Sequence, residues 1–198
     1  MITTEYFREG YLRFRAGRFA EESARYQALA GGQAPRAMVI ACADSRVDPA
    51  TIFAAGPGEL FVVRNVAAIV PPYEVDGRYH GTSAAVEFAV TGLNIEVILV
   101  MGHGLCGGVA ASLAAGEDRP VGRFIAPWVA LLDSCRDELI ARLPHLSSSE
   151  RQRALEHMSI QQSLENLKTF PFVAQAVDAG RLKLEGAWFS IMDGQLHW

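Results

Sequence analysis

Cysteine is scarce in this chain: three in 198 residues, an odd number that excludes a fully paired disulfide framework and points to a reducing compartment. Basic charge is also in short supply. Lys and Arg number 18 against 22 acids, for a net charge of −4, and no basic block is present, which excludes the electrostatic footprint of a nucleic-acid binder. No apolar run approaches the roughly 18 residues of a membrane helix. The start, MITTEYFREG, lacks the basic and apolar regions of a secretory leader. Repeats, low-complexity tracts and Pro/Ser-rich linkers are missing as well. These absences give the expectation of a cytoplasmic protein that engages neither nucleic acid nor membrane. What is present is a chain half apolar by composition, long enough for one domain with a sizeable core.

That domain is expected to span 1–198, with a helical arm over 1–30, a site-bearing core over 31–111, and helices with closing strands over 112–198. In the arm, Tyr6, Phe7, Tyr11, Phe14 and Phe19 fall at roughly helical spacing, and Gly10 and Gly17 are expected to divide it. Three short apolar runs follow: AMVIAC (37–42), ELFVVRN (59–65) and EVILVMG (96–102). Apolar on both faces and bounded by turn residues, they suit strands of a parallel sheet covered on both sides. PATIFAAG (49–56) and GTSAAVEFAVTGLN (81–94) between them look helical, the second with Thr82 or Ser83 as its cap. A helix over 126–144 carries an apolar stripe of Trp128, Leu132, Cys135, Leu139 and Leu143. Another covers 149–169, and the tail 181–198 alternates as a strand or hairpin. The fold class is therefore α/β: a mostly parallel central sheet flanked by helices, with an N-terminal helical arm.

The stretch GHGLCGG (102–108) carries two competing chemistries. Gly102-x-Gly104-x-x-Gly107 matches a dinucleotide-binding turn, whereas His103 and Cys106 form a His-x-x-Cys pair suited to a metal. A dinucleotide turn follows the first strand of its unit and has an acidic residue at the end of the next strand, about 20 residues on. Here the turn follows the third strand, and Glu117 and Asp118 sit in the turn after a helix. The context fails, so the glycines are read as letting the chain turn sharply off a strand end.

In open parallel sheets, sites form beyond the carboxyl ends of the strands. The first run ends in Cys42-Ala-Asp44-Ser-Arg46 and the third in His103-Gly-Leu-Cys106. If these strands are neighbours, two thiols and one imidazole converge, a donor set suited to Zn²⁺ with a fourth position left open. Asp44 has two options: to bind the metal as a fourth ligand, or to turn to the planar fork of Arg46. Cys135, on its apolar stripe, reads as core. His80, His145, His157 and His197 read as surface or packing residues.

CADSR, GELFVVRNVA, HGTSAAVEFAV and GHGLCGG, in this order and spacing, resemble the β-class carbonic anhydrases over about residues 33–111. GAWFSIMDGQL is similar to that family's closing strand. The resemblance implies one zinc per subunit on Cys42, His103 and Cys106, with Asp44 and Arg46 as the catalytic dyad. Asp44 becomes the fourth ligand in closed forms of the family. It implies reversible hydration of CO₂ to bicarbonate and a proton, by hydroxide held on the zinc. GQAPRAMVIAC looks like the plant-type subgroup, whose pocket positions correspond to Gln33, Phe61, Val66, Phe88 (a tyrosine in most members) and Gly107. A homodimer or dimer of dimers follows, because Gln33 and Phe61 are supplied across a subunit interface there. Val39 stands where the bicarbonate-regulated subgroup has tryptophan, although Arg64 is present. Alternatives on the same fold are a carbon disulfide hydrolase and a non-catalytic zinc-binding dimer.

Overall fold

The computed structural model describes residues 1–75 and 80–198 and divides into two units, Met1–Ala34 and Pro35–Trp198. The first unit holds α1 (Thr4–Ala16), α2 (Arg18–Glu21) and α3 (Ser23–Leu29), none of which buries a residue. Of the two glycines only Gly17 divides the arm, and Glu22 makes the second break. Gly10 continues α1, because an internal glycine costs a helix about 1 kcal/mol without ending it. Phe14, Phe19 and Tyr26 close a small aromatic cluster, with ring centroids 5.0–6.1 Å apart.

In the second unit the expected strands form: β1 (Ala37–Cys42), β2 (Leu60–Asn65) and β3 (Val97–His103), then β4 (Lys183–Phe189) and β5 (Leu196–His197). The sheet order is β2-β1-β3-β4-β5, with every pair parallel except β4–β5. Alternate residues of each strand reach opposite faces. Met38, Ile40, Ile98 and Val100 pack with Leu167, Phe170 and Val173 on one side. Val39, Ala41, Leu99 and Met101 pack with Ile52 and Phe53 on the other. Each large side chain so buried contributes about 1.5–3 kcal/mol, and double-sided burial explains why the strands read as unbroken apolar runs.

The helices of this unit are α4 (Pro49–Ile52), α5 (Gly81–Glu87), α6 (Gly107–Gly116), α7 (Ile125–Val129), α8 (Asp133–Arg142), α9 (Ser148–Lys168) and α10 (Pro171–Asp178). Three expectations are corrected. The 49–56 helix is a single turn, started by Asp48 accepting from Thr51 N and by Pro49. Neither Thr82 nor Ser83 caps α5; His80 occupies that position without a side-chain bond, and buried Thr82 instead meets Asn65 Nδ2 at 3.2 Å. The 126–144 helix is two, α7 and α8, joined by a 3₁₀ turn over Ala130–Leu132, and Leu143 lies exposed beyond them.

Helix α9 opens with a capping box between Ser147 and Glu150 and lies across β3 and β4. Its inward face runs Leu155, Glu156, Ser159, Ile160, Ser163 and Leu167, a 3–4 spacing with small serines that permits close approach. A Cβ on Gly102 of β3 or Gly186 of β4 would stand 2.7 Å from Ile160 carbons. Among the described residues, no helix is long and apolar enough to cross a membrane.

Candidate metal centre

Because β1 and β3 are hydrogen-bonded neighbours, their carboxyl ends deliver Cys42 and His103 side by side. Cys106 follows three residues later as the residue before α6. The two sulfurs are 3.9 Å apart, and the three ligand atoms all lie within 4.8 Å of one another, buried. The His103 ring donates from Nδ1 to Gly104 O at 2.9 Å, which leaves the Nε2 lone pair free. Nε2 is fully enclosed and has no partner among the described residues. A buried, orphaned imidazole nitrogen beside two thiols is costly unless a cation occupies the space. The donor set fits zinc, which takes tetrahedral S/N ligation.

The electrostatics agree. The hydrogen bond from Cys106 pulls the Cys42 thiol well down, against burial, and His103 and the amides of Asp44 and Ala67 help. The same shared proton, with burial, pushes Cys106 up, against the amides of Val109 and Gly108. The sulfur pair thus gives up one proton readily and holds the other. Burial lowers the His103 imidazole, but the Cys42 sulfur outweighs it and the net direction is upward.

Asp44 turns to Arg46. Arg46 Nε donates to Oδ1 at 2.9 Å, Nη2 to Oδ2 at 2.7 Å, and the Arg46 backbone N–H to Oδ1 at 3.0 Å. That fork, above all, holds the carboxyl well below the usual carboxylate range. Asp44 stands outside the three-ligand group, yet its Oδ2 is 4.0 Å from His103 Nε2 and so faces it. Arg46 Nη2 also reaches Leu105 O at 3.3 Å, tying the pair to the ligand loop.

The turn between His103 and Cys106 corrects the role given to its glycines. The residue with left-handed backbone is Leu105, at φ 56°. Gly102 and Gly104 serve close approach instead: a Cβ on Gly104 would stand 2.9 Å from the Trp188 ring. Gly107 faces open space beside Cys106, with nothing within 4 Å of an added Cβ. Val66 packs in the cluster containing Cys42 and Cys106, and its carbonyl accepts from Trp128 Nε1 at 2.8 Å. Phe61 and Phe88 meet each other at 5.8 Å. They do not border the ligands of their own chain: Phe61 is level with Met38, four residues before Cys42, roughly 13 Å at 3.3 Å per residue. Gln33 is exposed in the N-terminal unit.

Three supporting residues escaped the sequence. Arg64 donates to the carbonyls of Cys42 and Asp44 and to Asp48 Oδ1, fixing the end of β1. Glu156, only 2% exposed, accepts from Cys106 N at 3.0 Å, Trp188 Nε1 at 3.1 Å and Gln152 Nε2 at 3.2 Å. Gln152 also donates to Cys106 O at 3.4 Å. The one available sign was a carboxylate on the otherwise apolar and small face of α9.

The neighbouring glycines give a paired prediction. A Cβ on Gly108 would stand 2.7 Å from Val66 Cγ1 and 2.8 Å from Ala67 Cβ. Gly108→Ala should therefore cost about 1–3 kcal/mol, read as a lowered thermal midpoint. Gly107→Ala, into open space, should leave the midpoint unchanged or slightly higher; equal behaviour of the two would refute this packing account.

A family model described as carbonic anhydrase matches residues 37–196. Beta carbonic anhydrase 5, chloroplastic, of Arabidopsis thaliana is 37% identical over 186 residues. The match covers 94% of this chain but 61% of that relative, so the chain spans under two thirds of its length. The solved β-carbonic anhydrase CcaA superposes with a TM-score of 0.91 at 31% identity, covering 97% of this chain and 85% of that one. A β-carbonic anhydrase of Sordaria macrospora, one of two described as tetrameric, gives 0.86 at 28% identity, covering 97% and 94%. With the metal-ligand cluster at the ends of β1 and β3, and a family match running from the first residue of β1 to β5, this chain belongs to the β-carbonic anhydrase family.

Proposed function

We infer that the protein is a zinc-dependent carbonic anhydrase that interconverts CO₂ and bicarbonate. The observation that carries this is the buried Cys42–His103–Cys106 group, with the Asp44–Arg46 pair beside it and outside it. Zinc on those three residues supplies Lewis acidity, lowering the pKa of a water it holds from about 15.7 to about 7.

The chain's own residues do the rest. Arg46 occupies one lone pair on each Asp44 oxygen, so the carboxylate stays charged and oriented. The free lone pair of Oδ2, on the side of His103 Nε2, accepts a hydrogen bond from a protonated oxygen in the site. That selects an oxygen bearing a hydrogen and turns its remaining lone pair toward substrate. Val66 and the open space at Gly107 provide an apolar berth for CO₂ beside Cys106.

Gln33, Phe61 and Phe88 complete the pocket from a second copy in this proposal, which makes the enzyme a homodimer or dimer of dimers. Supporting this, Phe88 is 51% exposed and Val62 of edge strand β2 is 38% exposed, and the Sordaria relatives are described as tetrameric. A cytoplasmic location belongs to the same proposal, supported by three free cysteines.

Zinc content measured with stopped-flow CO₂ hydration tests the reading. A purified protein with one zinc per chain should accelerate hydration and lose that acceleration to a chelator. Asp44→Asn should keep its zinc and slow the reaction about 10–100-fold. Wild-type rates in that variant would remove Asp44 from the mechanism, and full activity without metal would end the proposal.

A further inference from the structure

A cavity of about 500 Å³ opens between the first turns of α9, the His103–Cys106 loop and the β4–β5 hairpin. Its volume falls in the range of small-molecule pockets, and none of the roles assigned above uses it. Trp188, 7% exposed, lies at its base. The Arg153 guanidinium sits 5.0 Å over that indole, His157 stacks on it at 5.1 Å and 28°, and His197 lies 5.5 Å away.

The charges around this base are uneven. Glu156 is taken up by its three donors, and Asp193 accepts from Gln195 N at 3.1 Å. Arg153 forms no ion pair among the described residues; its contact is the indole face. The cavity therefore offers a planar cation outside any ion pair, resting on the indole, and the apolar side chains of Leu105, Ile191 and Met192. A guanidinium fork recognises a carboxylate bidentately and its plane stacks on flat aromatic rings, and the apolar side chains take the apolar body. A dianion is disfavoured by the Glu156 and Asp193 carboxylates in the same lining, since the donors to Glu156 are neutral and leave its charge in place.

The geometry points to a second ligand site here, for a small planar monocarboxylate, separate from the metal centre. It adjoins that centre through one residue. Leu105 lines the cavity, and its carbonyl receives Arg46. Gln152, also in the lining, holds the Cys106 carbonyl. A ligand seated on Leu105 bears on the dyad from behind, which makes the site an effector site; this last consequence rests on the function proposed above, and binding itself does not.

Calorimetric titration of the zinc-loaded protein with 2-naphthoate tests the site without any turnover. Saturable binding, one per chain, is expected. The uncharged isostere 2-naphthamide should bind at least about ten-fold more weakly, and Arg153→Ala should weaken naphthoate to the same degree. Excess azide, an anion that competes for the metal, should leave the naphthoate affinity unchanged. Three results would overturn the proposal: no saturable heat, undiminished affinity in Arg153→Ala, or displacement by azide, which would place the carboxylate on the metal. Arg153 is exposed, so its truncation leaves the fold intact.

Discussion

Cys42→Ser is expected to lose both the metal and the CO₂ hydration proposed for this chain. Serine keeps nearly the volume of cysteine, so the packing of this buried position survives and the fold should persist. What disappears is the soft thiolate, since a serine hydroxyl stays protonated near neutral pH and binds zinc poorly. Only His103 and Cys106 would remain, and two ligands do not hold the ion against dialysis. Zinc per chain should fall from one to near zero, and CO₂ hydration to the rate of buffer alone. The internal control is Cys135→Ser. Cys135 lies on α8 with its sulfur 3.5 Å from Gln162 Oε1, outside the ligand group, so that variant should retain zinc and rate. If Cys42→Ser kept a full complement of zinc, or if both variants behaved alike, the assignment of the ligands would be wrong.

The second large effect is expected on stability. Glu156→Leu fills the volume of the side chain but removes an acceptor used by three donors. Cys106 N and Trp188 Nε1 are buried with it, and among the described residues Glu156 is the acceptor each is bonded to. Each stranded donor costs about 1–3 kcal/mol, so the total loss should be about 3–5 kcal/mol, or roughly 6–20 °C in thermal midpoint for a chain of this size. Glu156→Gln keeps one oxygen and should lose less, because only the contact to Trp188 turns into two facing donors. Since Glu156 fixes the Cys106 backbone, zinc should also leave the leucine variant faster, with affinity down about 10–100-fold. Thermal melts of the two variants, with and without zinc, check this. Matching midpoints for wild type and Glu156→Leu would show that the three hydrogen bonds do not hold the loop.

The strands and the Cys42–His103–Cys106 group were legible in the sequence because both leave local marks. Residues 37–42 and the runs ending at Asn65 and Gly102 are short, apolar and bounded by turn residues, and the strands observed differ by at most one residue at an end. The placing of Cys42 against His103 needed β1 and β3 to be neighbours, which a sequence states only as a condition; the sheet order supplies it. The glycines of GHGLCGG misled in role because spacing reports where a side chain is missing, not what fills the gap. Ile160 and Trp188, the groups that need the room at Gly102 and Gly104, lie more than fifty residues away. Arg64 and Glu156 escaped for the same reason, since a hydrogen bond from 64 to 42 or from 106 to 156 has no periodicity to reveal it.

That long reach has a consequence during synthesis. A nascent chain that has emerged through Ala111 already carries all three proposed zinc ligands and the Asp44–Arg46 pair. It has neither Glu156 to anchor the Cys106 amide nor Trp188 to support Gly104. Strand β4, which covers the far edge of β3, leaves the ribosome well after Ala111. Domains form once their long-range contacts can close. The newborn thiols must therefore wait, reduced and exposed, until α9 and β4 arrive to set them in place.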